Sequence, residues 1–245
     1  MSDFLSITSE RSSARTPADV LSRRDAARLQ RSIDNANIPA KFTNWYWSNL
    51  SPYDGDVEDY VHGWVDRFAS GHIVEKTGVG MIFYGKPGHG KTGLAATVVQ
   101  EALRAATPAS WGKTWAKPYQ PSRGAYMAPY RAFPKLTQRQ FNDATSEDED
   151  ALLKDIVGER TRDTAIRLLV LDDVGKEHRT SSGWAVGFFE DLIRERYYEG
   201  WPTIITTNLY PGEWQATYGD SCESFMHEAF THHHVASPDG DRRKK

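Results

Sequence analysis

Eight consecutive residues, Gly85-Lys86-Pro87-Gly88-His89-Gly90-Lys91-Thr92, restrict this chain more than any other stretch. They meet the spacing G-x-x-x-x-G-K-[S/T] at every fixed position. Before them, Val79, Met81, Ile82 and Phe83 form a short apolar, β-prone run. After them, the spacing of Leu94, Val98, Leu103 and Ala106 predicts a helix over 93–106 with one buried face. Strand, glycine loop and helix in that order make a phosphate cradle. The glycines let successive backbone N–H groups turn toward an anion, and the helix N-terminus adds partial positive charge. Lys91 can reach β- and γ-phosphates, and Thr92 can ligate Mg²⁺. The expected ATP-binding set is Gly85, Pro87, Gly88, His89, Gly90, Lys91, Thr92 and Gly93, with His89 a loop member that carries no chemistry of its own.

A second acidic element completes such a site. Leu168-Leu169-Val170-Leu171-Asp172-Asp173 is an apolar run ending in two acids, about 80 residues after the glycine loop. This is a Walker B pattern. It is expected to form a buried strand beside the P-loop strand, with its acids at the C-terminal tip, where open α/β sheets bind ligands. Asp172 is the expected Mg²⁺ holder beside Thr92, and Asp173 the group that orients the attacking water. Further on, Thr203-Ile204-Ile205-Thr206-Thr207-Asn208 is another apolar run with a polar tip. Asn208 has two readings: a γ-phosphate or water contact, or a turn residue after a strand.

The rest of the chain sets limits. Its 245 residues suit one α/β domain with small additions. Net charge is −3, which excludes a globally basic nucleic-acid binder, and no apolar run approaches membrane-spanning length. The single cysteine, Cys222, rules out an internal disulfide and a cysteine-based zinc site. With no signal-peptide pattern at the N-terminus, a reducing cytoplasm is expected. Residues 1–36 are polar and read as an N-terminal extension. Thr16-Pro17-Ala18-Asp19 resembles a helix start, and Leu21, Leu29 and Ile33 form a thin apolar stripe. That helix either docks a partner or packs on the core. Residues 37–245 read as the main domain, with a helix near 57–69 and strands near 126–129, 167–174 and 203–207. Strands alternating with helical stretches predict an α/β fold, a parallel sheet flanked by helices. The acidic run 143–150 reads as a solvated helix start.

The order of these motifs resembles the DnaC/IstB-like branch of the AAA+ ATPases, which includes bacterial and phage helicase loaders and the ATPase helpers of some transposases. The resemblance spans residues 38–243. Its markers are Ile38-Pro39-Ala40-Lys41-Phe42, the P-loop, Leu168 to Gly175, Glu177, Trp184, Phe188 to Tyr197, and Pro202 to Asn208. It implies an AAA+ P-loop NTPase fold, ATP and Mg²⁺, self-assembly into a homo-oligomer, and action on a replicative helicase or a transposase bound to DNA. It places the protein in the cytoplasm of a bacterial or phage-infected cell. It makes Asn208 the sensor-1 residue. Asp often replaces the usual catalytic Glu in this branch, which suits Asp173. The family's arginine finger is missing at its expected place, where Phe225 stands, and residues 197–241 contain no Lys or Arg. By the resemblance Arg194 or Arg196 can act in trans, or Arg242 in cis as a sensor-2 group; otherwise hydrolysis is slow or uses a partner's arginine.

One more surface stands out. Between Glu101 and Asp143 there is no acid, but seven basic residues alternate with aromatics. Lys113, Lys117 and Arg123, with Trp111 and Trp115 in a Pro/Gly-rich loop, are the expected contacts to single-stranded DNA, through phosphate pairing and base stacking. The competing reading packs the aromatics in the core. His232-His233-His234 does not read as a metal site, because neighbours on a strand face opposite ways. Four functions are in play: helicase loader, transposition helper, nucleotide-gated binding module with little turnover, and, against the Asp-Asp and Thr-Thr-Asn pattern, a small-molecule kinase.

Overall fold

The computed structural model describes residues 23–50, 53, 55–74, 77–112, 124–142, 145–158, 164–176, 184–237 and 240–242. Five strands form one parallel sheet: β1 (Gly80–Tyr84), β2 (Ala125–Pro129), β3 (Leu168–Val174), β4 (Thr203–Thr207) and β5 (Phe230–His234), in the spatial order β2-β3-β4-β1-β5. The strand with the Asp-Asp pair is therefore not beside the P-loop strand, as expected from sequence. β4 lies between them, pairing Met81 with Ile204 on one side and Val170 with Ile204 on the other. All of β4 is buried, and this fits a central position: Thr203, Thr206 and Thr207 satisfy their hydroxyls by hydrogen bonds while their methyl groups pack.

Alternation along the strands splits the core in two. Met81, Phe83, Val170 and Ile204 face a layer built by α1 (Arg23–Asn35), α2 (Gly55–Ala69) and α3 (Lys91–Ala105). Ile82, Leu169, Leu171 and Ile205 face α5 (Glu147–Val157), α6 (Trp184–Tyr198), α7 (Trp214–Tyr218) and α8 (Asp220–Ala229). A further helix, α4 (Ala132–Phe141), follows β2. Leu29, Ile33 and Ala36 of the N-terminal segment pack into the first layer, and the Met127 N–H donates to the Ala36 carbonyl at 2.9 Å. So α1 packs on the core; Thr16 to Asp19 and Leu21 lie outside the described residues. The acidic run does open a helix: Ser146 caps α5, its hydroxyl accepting from the Glu149 N–H. In return the Ser146 backbone N–H donates to the Glu149 carboxylate at 3.0 Å, and this bond first, then Arg139, holds the Glu149 carboxyl below the usual range. Among the described residues no helix is long and apolar enough to cross a membrane.

Arg196 has no place at a neighbour's active site. Its side chain is fully buried on α6 and points to the end of the sheet where the strands begin. Its guanidinium donates to Thr203 Oγ1 (2.9 Å) and to the carbonyls of Ile156 (2.6 Å), Ile166 (2.9 Å), Arg167 (3.1 Å) and Pro202 (3.2 Å). A planar fork with five N–H donors suits a cluster of carbonyls where α5 ends and β3 and β4 begin. Burial, and then the nearby Arg167 charge, depress its pKa to about 9. The trans-acting role expected from sequence is overturned: nucleotide chemistry in such sheets lies at the opposite, C-terminal end.

Replacing Arg196 by alanine is expected to destabilise the protein by on the order of 3 kcal/mol, because buried carbonyls lose their donors. Arg196→Lys should recover only part, since an ammonium cannot span the cluster. Urea unfolding of the three proteins checks this; an Arg196→Ala midpoint equal to that of the parent would contradict it.

Candidate nucleotide site

The C-terminal tips of β1, β3 and β4 meet at a cleft of about 460 Å³. β1 runs into the loop Gly85 to Gly90, where Gly88 (φ 86°) and Gly90 (φ 92°) adopt left-handed conformations that a side chain would oppose. That turn aims the start of α3 into the cleft. Lys91 is its first helical residue and is buried. Its Nζ donates to the carbonyls of Gly85 (2.8 Å) and Lys86 (2.9 Å) and to Asn208 Oδ1 (2.9 Å). A charged ammonium thus bridges the P-loop and the tip of β4, drawing Asn208 into the same centre.

The second acidic element reaches the cleft through a kink. Register between β3 and β4 slips from Leu171↔Ile205 to Val174↔Thr207, so Asp172 and Asp173 together oppose Thr206. Asp173 takes φ 60°, unusual for a non-glycine residue, and its N–H donates to Thr206 Oγ1 at 3.0 Å. The same hydroxyl donates to Asp172 Oδ1 at 2.6 Å. Thr92, at the start of α3, lines the same cleft as Asp172. Burial raises the Asp172 carboxyl pKa; the Thr206 and Thr92 hydroxyls work against it, and the neighbouring Asp173 charge adds to it. A carboxylate beside a hydroxyl at the helix start is an oxygen donor set suited to a hard divalent cation. The Asp173 carboxylate accepts from Lys176 Nζ at 2.8 Å.

The remaining wall is apolar and aromatic. Pro39, Phe42 and Trp45 line it, with Phe42 and Trp45 edge to face at 4.9 Å and Trp45 lying over Gly93. On the other shoulder the C-terminal segment returns. The Arg242 N–H donates to the Gly88 carbonyl (3.0 Å), and its guanidinium lies 4.1 Å from the Tyr53 ring centre and donates to Ser237 Oγ. Tyr53 in turn donates its hydroxyl to the Gly90 carbonyl at 3.1 Å, and burial pushes its pKa to about 12.

Of the residues picked from sequence, Pro87, Gly88, Gly90, Lys91, Thr92, Gly93, Asp172, Asp173, Asn208 and Arg242 line this one cleft. Gly85 contributes a carbonyl to Lys91, and His89 belongs to the loop without lining the cleft. Others go elsewhere. Trp111 is a core residue, edge to face with Phe68 at 5.3 Å and packed over Gly124, so it offers no face for a base; its expected DNA contact is overturned. Lys113, Trp115, Lys117 and Arg123 lie outside the described residues, as do Glu177 and Arg243. Phe225 is buried against Tyr197 and under the Arg194 guanidinium, which is paired with Glu190 at 2.7 Å. The finger position is thus filled by core packing. Thr206, Trp45, Tyr53 and Lys176 were not picked from sequence. A threonine in an apolar run reads as β-propensity, and an aromatic far upstream gives no sign that it folds back over the P-loop helix.

No protein-family model matches the chain, and no curated protein matches it by sequence. Solved structures do. The crystal structure of the DnaC helicase loader matches with a TM-score of 0.60 at 20% identity, over 80% of this chain and 99% of that one. The crystal structure of DnaI matches with a TM-score of 0.57 at 17% identity, over 84% and 95%. The chain shares the fold of these two structures. A replication initiator DnaA bound to AMPPCP and single-stranded DNA matches with a TM-score of 0.54 at 14% identity, over 85% of this chain and 54% of that one. At these identities the DnaC-like likeness is one of fold.

Thr206→Val removes a donor to Asp172 and the acceptor for the Asp173 N–H. With one donor gone, the Asp172 carboxyl should hold its proton to higher pH. Mg²⁺-dependent nucleotide binding should weaken roughly two- to tenfold at neutral pH and fail at a higher pH than in the parent as the solution is acidified. Calorimetry against pH tests this; superimposable profiles would remove Thr206 from the account.

Proposed function

We propose that this protein is an ATPase of DNA replication that binds ATP with Mg²⁺, turns it over slowly, and acts on a replicative helicase at single-stranded DNA. The observation that carries this reading is the Lys91–Asn208 contact, which joins the P-loop to the β4 tip within reach of Asp172 and Asp173. Backbone N–H groups of the loop and the Lys91 ammonium bind the phosphates. Pro39, Phe42 and Trp45 offer a flat apolar wall to the base. Thr92 and Asp172 are the residues that would hold Mg²⁺. The bound ion supplies charge neutralisation at the phosphate oxygens. Asp173 orients water, and Asn208 senses the terminal phosphate once Lys91 turns away from it.

Slow turnover follows from the arginines. Arg196 supports the strand starts and Phe225 is packed in the core, so neither gives a subunit-to-subunit arginine. Arg242 is left as the arginine acting within the chain. The likeness to DnaC and DnaI supports the loader reading, and the sequence resemblance alone suggests a homo-oligomer; the DnaA complex with single-stranded DNA supports DNA contact, here through Lys113, Trp115, Lys117 and Arg123. A transposition helper shares the engine and differs in partner. A pull-down of the intact protein with a bacterial replicative helicase, with and without ATP, separates them: ATP-dependent capture is expected, and capture of a transposase instead would transfer the protein to the helper class.

Lys91→Ala should lower ATP affinity by roughly ten- to a hundredfold with the fold retained. Asp173→Asn should keep ATP bound but cut turnover about a hundredfold, because only water activation suffers. Calorimetry and phosphate release measure the two. Unchanged affinity in the first, or parental turnover in the second, would contradict the assigned roles.

A further inference from the structure

Among the described residues four cationic side chains line the cleft, and three are already placed. Lys91 bridges the P-loop and β4. The Lys41 ammonium lies 4.5 Å from the Phe42 ring centre on the apolar wall. Arg242 rests on Tyr53 at the far shoulder. The fourth, Lys176, stands on the acidic side. After β3 the chain turns sharply at Gly175 (φ 91°), which brings Lys176 back onto Asp173, three residues earlier. The two side chains are 46% and 44% exposed. An ion pair that open to water is weak and easily exchanged. A terminal phosphate carries more negative charge than one carboxylate and offers several acceptor oxygens, so it outcompetes Asp173 for the lysine.

Resting on the ATP reading above, we propose that Lys176 is a second phosphate-binding lysine, which passes from Asp173 to the γ-phosphate and supplies within the same chain the cation that the buried Arg196 and Phe225 positions cannot. The exchange has two consequences. The phosphate gains a second positive partner besides Lys91. Asp173 loses its ammonium partner and becomes available to the attacking water. In hydrolysis the water oxygen bonds to the γ-phosphorus while the bond from that phosphorus to the β–γ bridging oxygen breaks. The electron pair stays on the ADP oxygen, and the water proton passes to Asp173 and then to solvent. Lys176 offsets the negative charge on the γ-phosphate oxygens throughout. Because ADP lacks the group Lys176 contacts, the lysine acts as a discriminator between ATP and ADP.

The test compares nucleotides rather than rates alone. Lys176→Gln in the intact protein should bind ATP with Mg²⁺ about tenfold more weakly while ADP affinity is unchanged, and Lys176→Arg should restore most of the preference. Phosphate release at saturating ATP should fall with Lys176→Gln. Equal losses for ATP and ADP, or no loss for either, would overturn the assignment while leaving ATP binding by the parent intact. Failure of the parent protein to bind either nucleotide would instead sink the ATP reading, and this inference with it.

Discussion

A buried ammonium joins the two halves of the cleft. Lys91 is the first residue of α3, and its charge has left bulk water for two carbonyls of the P-loop and one amide oxygen at the tip of β4. Burying a charge is costly unless it is fully hydrogen-bonded. Here the acceptors come from parts of the chain more than 100 residues apart, so the contact is possible only if β1 and β4 are neighbours in register. The parallel pairing, the glycine turn and the placement of Asn208 all serve that geometry. It also leaves the lysine where incoming phosphate oxygens can replace its present acceptors.

The acidic half is organised by one hydroxyl. Thr206 donates to Asp172 and accepts from the Asp173 backbone, and this spans the irregularity in which two residues of β3 face one of β4. The kink sends the two carboxylates in different directions. Asp172 turns toward Thr92, where burial works against its charge, and Asp173 turns outward to Lys176. Two adjacent acids thereby gain different surroundings, Asp172 a buried hydroxyl partner and Asp173 a half-exposed ammonium. Such division depends on backbone geometry as much as on residue type.

Much of the scaffold was legible in the sequence because it is written in local patterns. β4 spans the predicted residues 203–207, and β2 and β3 differ from their predicted bounds by one residue at one end. The P-loop residues and both acids came from spacing that the chemistry itself demands. Strand order was not legible: an apolar run reveals that a strand is buried, not which strand lies beside it, and β4 came between β1 and β3. Arg196 and Trp111 misled for the same reason in opposite senses. An arginine on a helix reads as solvent-facing, yet a knot of carbonyls at the strand starts draws its guanidinium inward. A tryptophan in a Pro/Gly-rich loop reads as exposed, yet Gly124 makes room for its ring against Phe68. Trp45 and Lys176 needed the fold, since only the turns after β3 and before α2 bring them to the cleft, as did Tyr53, which sits behind Gly90 and Arg242.

The proposed function requires that the strand-tip cleft take the phosphates of a nucleotide, for which Lys91 would exchange its present acceptors. Calorimetric titration of the intact protein with ATP and Mg²⁺, set against the same titration with adenosine, tests it most directly. One saturable site for ATP and no detectable binding of adenosine is the predicted result. No heat with ATP, or equal affinity for adenosine, would contradict the account at its base.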